Sequence, residues 1–210
     1  MRILITAGPT REYLDPVRFL SNASTGRIGQ ALAAKAKAMG HHVALILGHV
    51  ETDDPIRADE VVRVTSAANM FEAVLARFDG CDIFIAAAAV CDYRPVIREE
   101  KKIKKVQRRI TLELERTADI LLQMSKRRHR QVLVGLCLET NDLEQRARDK
   151  LQVKRLDLVV GNSPAAIGAK RQDAILLTSR NVQRLTQVTK QKLAEQILQT
   201  AIDLKKHGAV

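Results

Sequence analysis

Six short aliphatic runs recur along this chain of 210 residues: RILIT (2–6), HHVALIL (41–47), EVVRVT (60–65), DIFIAAA (82–88), QVLVGLCL (131–138) and LDLVVGN (156–162). Near-continuous apolar runs of this length are the pattern of strands covered on both faces of a parallel sheet. Between them lie stretches of helical period. Over 25–39, Ile28, Leu32, Ala36 and Met39 recur at three- and four-residue spacing, and Gly40 is placed to end the helix. Further helices are predicted over 67–77, from near Ala118, over 142–154 with Leu143, Ala147 and Leu151 as its core stripe, and over 190–205 with Leu193, Ile197, Ala201 and Leu204 on one face. Such alternation predicts an α/β fold: a Rossmann-like, doubly wound, mostly parallel sheet, in a single domain over residues 1–210. DAILLTS and NVQRLT read as a short hairpin near the end. Residues 93–116 break the pattern with Pro95, the charge run REEKKIKKVQRR and the alternating RITLELE, and are expected to project as a basic flap or hairpin.

Only 3% of the residues are aromatic and none is Trp, so the core has to be aliphatic. The net charge of +11 favours anionic partners. Nucleic acid is not expected among them, because little aromatic surface is available for base stacking and neither zinc-finger nor RNP-like spacing occurs. Cys81, Cys91 and Cys137 form no CxxC pair and read as reduced thiols. No segment reaches transmembrane length and no signal-like region precedes the first strand, so a soluble, cytoplasmic protein without a membrane partner is expected.

In a doubly wound sheet, ligands bind beyond the carboxyl ends of the strands. Three loops of interest leave there, after residues 6, 88 and 138. The first, AGPTREYLDPVRFLSNASTGRIG, has neither the G-x-G-x-x-G nor the P-loop spacing. The backbone N–H groups of Ser24, Thr25 and Gly26 can face a phosphate at a helix N-terminus. Alternatively, Ser24 or Thr25 only caps the helix. Arg11 and Arg18 can reach anions, or pair with Asp15 and Glu12. Asn22 has an amide that both donates and accepts, suited to a carbonyl or an acyl-phosphate oxygen. In the second loop, Ala86, Ala87 and Ala88 admit a planar ligand, or simply pack tightly, and Asp92 suits a ribose hydroxyl or a metal. In the flap, Lys102 and Lys104 alternate as in a strand, with Ile103 facing the other way. Lys150 and Lys154 are four apart, on one helix face, and can clamp phosphates or merely be exposed. No nucleophile elbow or H-x-x-x-H pair occurs, and the Tyr-x-x-x-Lys pair of short-chain reductases is missing. The composition of these loops suits binding and orienting a polyphosphate, the logic of nucleotidyl transfer.

Taken together, LITAGPTREYLDPVRFLSNASTGRIGQALA, AAAAVCDYRP, KIKK, VGLCLET and ARDKLQVKRLDLVVGN resemble phosphopantothenoylcysteine synthetase, the ligase of coenzyme A biosynthesis that bacteria often fuse to a flavin-dependent decarboxylase. The resemblance spans essentially the whole chain. It implies that CTP, with ATP as the alternative, activates the carboxylate of 4'-phosphopantothenate as an acyl-cytidylate with loss of pyrophosphate, and that the amine of cysteine then displaces CMP. It further implies Mg²⁺, a homodimer to which the flap contributes, and a phosphopantothenoylcysteine decarboxylase as a separate partner. Carried over by motif, Asn22 handles the acyl-cytidylate with help from Arg18, and Lys102 serves cytidylate formation. Ser24, Thr25 and Gly26 hold phosphate. The nucleotide contacts fall on Ala86, Ala87, Ala88, Asp92, Lys102, Ala118, Asp119, Ile120, Leu121, Leu136, Lys150 and Lys154, while the metal ligands stay unassigned. The chain departs from the family pattern at Leu136, where Phe is usual, at Ala118, where Pro is usual, and at Cys91, where Ala is common.

Overall fold

A computed structural model describes residues 1–51, 55–105 and 108–208. Its frame is an eight-stranded sheet made of β1 (Arg2–Ala7), β4 (His42–Leu47), β5 (Glu60–Arg63), β6 (Ile83–Ala86), β9 (Val132–Leu138), β10 (Leu158–Asn162), β11 (Arg171–Leu177) and β12 (Val182–Thr189). The order across the sheet is β12-β11-β10-β9-β6-β1-β4-β5. The six strands from β10 to β5 are parallel, and β11 and β12 add an antiparallel edge. From β1 the chain winds outward to β4 and β5, then returns to β6 on the other side and continues to the opposite edge. The order therefore reverses between β1 and β6, the kind of point at which open α/β sheets bind ligands, and the loops leaving these two strands stay bridged there, with the N–H of Ala89 donating to the carbonyl of Gly8 (3.0 Å).

Five helices cover the two faces. One face carries α1 (Arg27–Ala38) and α5 (Lys190–His207), packed on Ile3, Ile5, Leu45, Ile83, Val134 and Val160. The other carries α2 (Ala67–Phe78), α3 (Ile120–Arg127) and α4 (Leu143–Val153), packed on Leu4, Ile46, Phe84, Leu133 and Val159. The two faces alternate residue by residue along each strand, so the central strands are apolar over most of their length, with Thr6 of β1 a buried exception. Each fully buried Leu or Ile contributes roughly 2 kcal/mol through removal of its surface from water. Phe78 and Phe84 meet edge to face, with ring centroids 5.8 Å apart. Gly29 lets α1 lie close against β1: a Cβ there would stand 2.3 Å from the Cβ of Ala7.

The expected elements occur with small shifts at their ends. Two local expectations are corrected. The first loop contains an antiparallel pair of its own, β2 (Arg11–Tyr13) with β3 (Phe19–Ser21). The flap is rooted in a three-residue ladder, β7 (Tyr93–Pro95) with β8 (Leu114–Arg116), so most of RITLELE is not strand. Lys102, Ile103 and Lys104 also lie outside any strand. Val106 and Gln107, within the expected flap, fall outside the described residues.

Candidate functional site

The loops after β1 and β6 and the carboxyl end of the adjacent parallel strand β9 border one cavity of about 540 Å³; the loop after residue 138, expected to join them, does not line it. Its wall includes Asn22, Ser24, Thr25, Gly26, Ala86, Ala87, Ala88, Asp92, Ala118, Asp119, Ile120, Leu121, Leu136, Lys150 and Lys154. Arg18 and Lys102 do not line it.

Gly26 is the N-cap of α1, with φ +69°, a left-handed conformation suited to glycine. No side chain caps this helix and no acidic residue stands in its first turn. The reading in which Ser24 or Thr25 caps α1 is therefore incorrect. Of the three N–H groups assigned to phosphate, two have partners within the loop. The N–H of Ser24 donates to the carbonyl of Asn22 (2.8 Å), and that of Gly26 to Ser24 Oγ (3.3 Å). The open donors belong instead to the first turn of α1, from Arg27 onward.

The amide of Asn22 spans the first two loops. Its Nδ2 donates to the carbonyls of Ala89 (3.2 Å) and Val90 (2.9 Å), which fixes the orientation of the amide and leaves Oδ1 as the acceptor. Thr10 braces the same junction: Cys91 N–H donates to its Oγ1 (2.9 Å), and Ser21 Oγ donates to its carbonyl (2.8 Å). Cys91 is buried here, and burial raises its thiol pKa above the ordinary value.

At the opposite wall, Asp119 caps α3 by accepting the N–H of Leu122 (3.0 Å) and pairs with Lys154 (2.8 Å). Burial raises the pKa of its carboxyl, but Lys154 and that N–H outweigh the effect and hold it below the usual carboxylate range. Lys150 donates to the carbonyl of Leu136 at 2.5 Å. Burial, and secondarily the charge of Lys154, push its pKa down. A polyanion entering here would meet one lysine already ion-paired and one that gains from a negative neighbour.

Arg11 and Glu12 do not pair with each other. Arg11 lies over the ring of Phe19, 4.2 Å from its centroid. Glu12 accepts the N–H of Ala67 (2.7 Å) at the start of α2. Arg18 pairs with Asp15 (2.7 Å).

Sequence reasoning missed part of the wall: Thr6, Asn162, Gln172 and Lys190. Lys190 Nζ donates to the carbonyls of Ala166 (3.2 Å) and Ala169 (2.8 Å) and to Gln172 Oε1 (3.2 Å). Burial and the charge of Arg27 lower its pKa. A signal was present in the sequence, since a lysine in the first turn of a helix carries the sign that the dipole disfavours. Among the described residues, no cluster of three His, Cys, Asp or Glu side chains is placed to hold a metal, and no helix is long and apolar enough to cross a membrane.

Residues 1–204 match the family model described as DNA/pantothenate metabolism flavoprotein C-terminal domain. Over 167 residues the chain is 49% identical to the coenzyme A biosynthesis bifunctional protein CoaBC of Bacillus subtilis (strain 168), covering 80% of this chain and 41% of that protein. Over 209 residues it is 41% identical to a cysteine/cysteine sulfinic acid decarboxylase of an unknown prokaryotic organism, covering 97% of this chain and 58% of that protein. The chain thus spans about half the length of these curated relatives, whose names describe the longer proteins. The crystal structure of the C-terminal domain of CoaBC is similar over 98% of this chain and 96% of that one, with a TM-score of 0.82 and 35% identity.

Proposed function

We propose that this chain, which belongs to the DNA/pantothenate metabolism flavoprotein C-terminal domain family, is a phosphopantothenate–cysteine ligase. The observation that carries the reading is the cavity at the reversal of strand order, walled by the uncapped end of α1, the amide of Asn22, the run of alanines and two lysines. This combination suits two phosphate-bearing substrates held head to head.

In this reading a carboxylate oxygen of 4'-phosphopantothenate attacks the α-phosphorus of CTP, and pyrophosphate leaves. The first-turn N–H groups of α1, with the Ser24 and Thr25 hydroxyls, hold phosphate oxygens. Lys150 and Lys154 offset the charge of the nucleotide, and Lys102, outside the cavity wall, acts from the flap. The amine of cysteine then attacks the acyl carbon, and CMP departs. With its N–H groups spent on Ala89 and Val90, Asn22 presents Oδ1, an acceptor suited to an N–H of the attacking amine rather than to the acyl oxygen. Mg²⁺ keeps most of its water and is held chiefly by phosphates, so Asp92, the wall carboxylate other than the Lys154-paired Asp119, would be a fitting donor; when bound, the ion would neutralise triphosphate charge. CTP is assigned over ATP on the motif pattern alone. The homodimer draws support from the flap, where Val96, Ile97, Ile110, Leu112 and Leu114 are all exposed, as expected of a surface that another copy covers. A phosphopantothenoylcysteine decarboxylase is the fitting separate partner.

The decisive experiment measures pyrophosphate release with 4'-phosphopantothenate and Mg²⁺, with CTP or ATP, and with or without cysteine. Release with CTP, well above that with ATP, is expected. Release preferring ATP would keep the ligase and reassign the nucleotide, with Leu136 the first residue to exchange. Folded protein that released pyrophosphate with neither would refute the reading.

A further inference from the structure

Asp15 is a carboxylate with no exposed surface, in the part of the first loop between β2 and β3, which does not line the cavity. Its Oδ1 accepts the N–H groups of Val17 (2.7 Å) and Arg18 (2.8 Å). Its Oδ2 accepts Arg18 Nη1 (2.7 Å) and, from far along the chain, the N–H of Ile103 (3.1 Å). Arg18 Nη1 donates in turn to the carbonyl of Ile103 (3.1 Å). The Asp15–Arg18 pair therefore holds both backbone polar groups of one flap residue. Two further links run beside it: the N–H of Glu99 donates to the carbonyl of Leu14 (2.8 Å), and Arg98 lies over the ring of Tyr13, 5.3 Å from its centroid. Burial would raise the pKa of Asp15, but the N–H groups of Val17, Arg18 and Ile103 and the charge of Arg18 outweigh it and hold the carboxyl at about 2. It stays an anion, and so an acceptor, at neutral pH.

We propose that Asp15 and Arg18 are positioning residues that latch the flap through the backbone of Ile103 and so set where the adjoining Lys102 points. Arg18 then acts through the flap rather than on the substrate, consistent with its absence from the cavity wall and with a guanidinium nitrogen shared between Asp15 and Ile103. The loop is folded back on itself to bury one charge, and that charge has a single distant client. The part of the inference that concerns Lys102 rests on the ligase reading above.

The test uses Asp15→Asn and Ile103→Pro. The second removes the distal N–H without touching the buried carboxylate, so it keeps the latch testable if Asp15→Asn folds poorly. Limited trypsin digestion reads the flap directly, through cleavage after Lys104, Lys105, Arg108 and Arg109. Both variants should be cut at least about 5-fold faster there than the parent, with cleavage elsewhere unchanged. In the pyrophosphate assay both should lose about 10- to 100-fold in kcat, while KM for CTP stays within about 3-fold, as expected when a reacting group is misplaced but the nucleotide site is intact. Unchanged flap cleavage in Ile103→Pro would overturn the latch. Faster cleavage with full kcat would overturn the positioning of Lys102 while leaving the ligase intact. A parent protein that releases no pyrophosphate would remove the ligase reading and the Lys102 role with it, and the cleavage comparison would still decide the latch.

Discussion

Helices α1 and α2 both lead into the same sheet, and they begin in opposite ways. The start of α2 is closed. Ser66 accepts the N–H of Asn69 (3.2 Å), Asn69 Oδ1 accepts the N–H of Ser66 (3.3 Å), and Glu12 reaches across from β2 to accept the N–H of Ala67. The start of α1 is open, with a left-handed glycine where a capping side chain normally sits and an arginine as its first residue. Glycine in place of a capping side chain costs a helix roughly a few tenths of a kcal/mol. The chain spends side chains to satisfy α2, which does not line the cavity described above, and leaves α1 unsatisfied where it meets that cavity. An end of this kind is suited to an anion from outside the chain.

The contrast is broken most severely by giving α1 an anion of its own. Thr25→Asp should weaken binding of CTP or 4'-phosphopantothenate by about 100-fold, through repulsion and competition for the same N–H groups, while the melting temperature holds or rises. Calorimetric titration of the folded variant checks it, and affinity within a few-fold of the parent would mean that no phosphate sits at α1. The converse change opens α2. Ser66→Ala should cost about 1 kcal/mol in urea denaturation and leave pyrophosphate release unaltered. A loss of activity with stability intact would show that the two ends are not the separate kinds argued here.

The smallest effect is a fraction of a proton. Because the pKa of Lys150 lies below that of an ordinary lysine, the folded chain binds this proton less tightly than the unfolded one, and the resulting penalty fades as pH rises through the lowered value. A bound phosphate reverses the shift. Nucleotide binding on the alkaline side should therefore take up protons, measurable as a dependence of binding heat on buffer ionisation enthalpy. The uptake should vanish in Lys150→Met. No buffer dependence at any alkaline pH would place the phosphates elsewhere.

The sheet was legible in the sequence because strands covered on both faces have few polar positions to blur the pattern, and β1, β6 and β9 stood out together with the loops they deliver. Three-residue strands carry no usable period, so the β2–β3 pair was not anticipated. Alternation misled at Lys102 and Lys104, since charges spaced by two look the same in a strand and in an extended loop. Ser24 and Thr25 fitted both a cap and an anion site, and only the backbone of Gly26 separates the two. Lys190 and Gln172 escaped because the returning hairpin and the last helix, distant in sequence, carry them to the cavity.

The scarcity of aromatic residues has an optical consequence. The chain has no Trp and two Tyr, and both tyrosines stand at the root of the flap: Tyr13 between Phe19 and Arg98, Tyr93 in the ladder that closes it. Nearly all of the near-ultraviolet emission of the protein thus originates within that one small region. Any rearrangement of the flap root reports itself as a change in tyrosine light, without an attached dye and without background from the core.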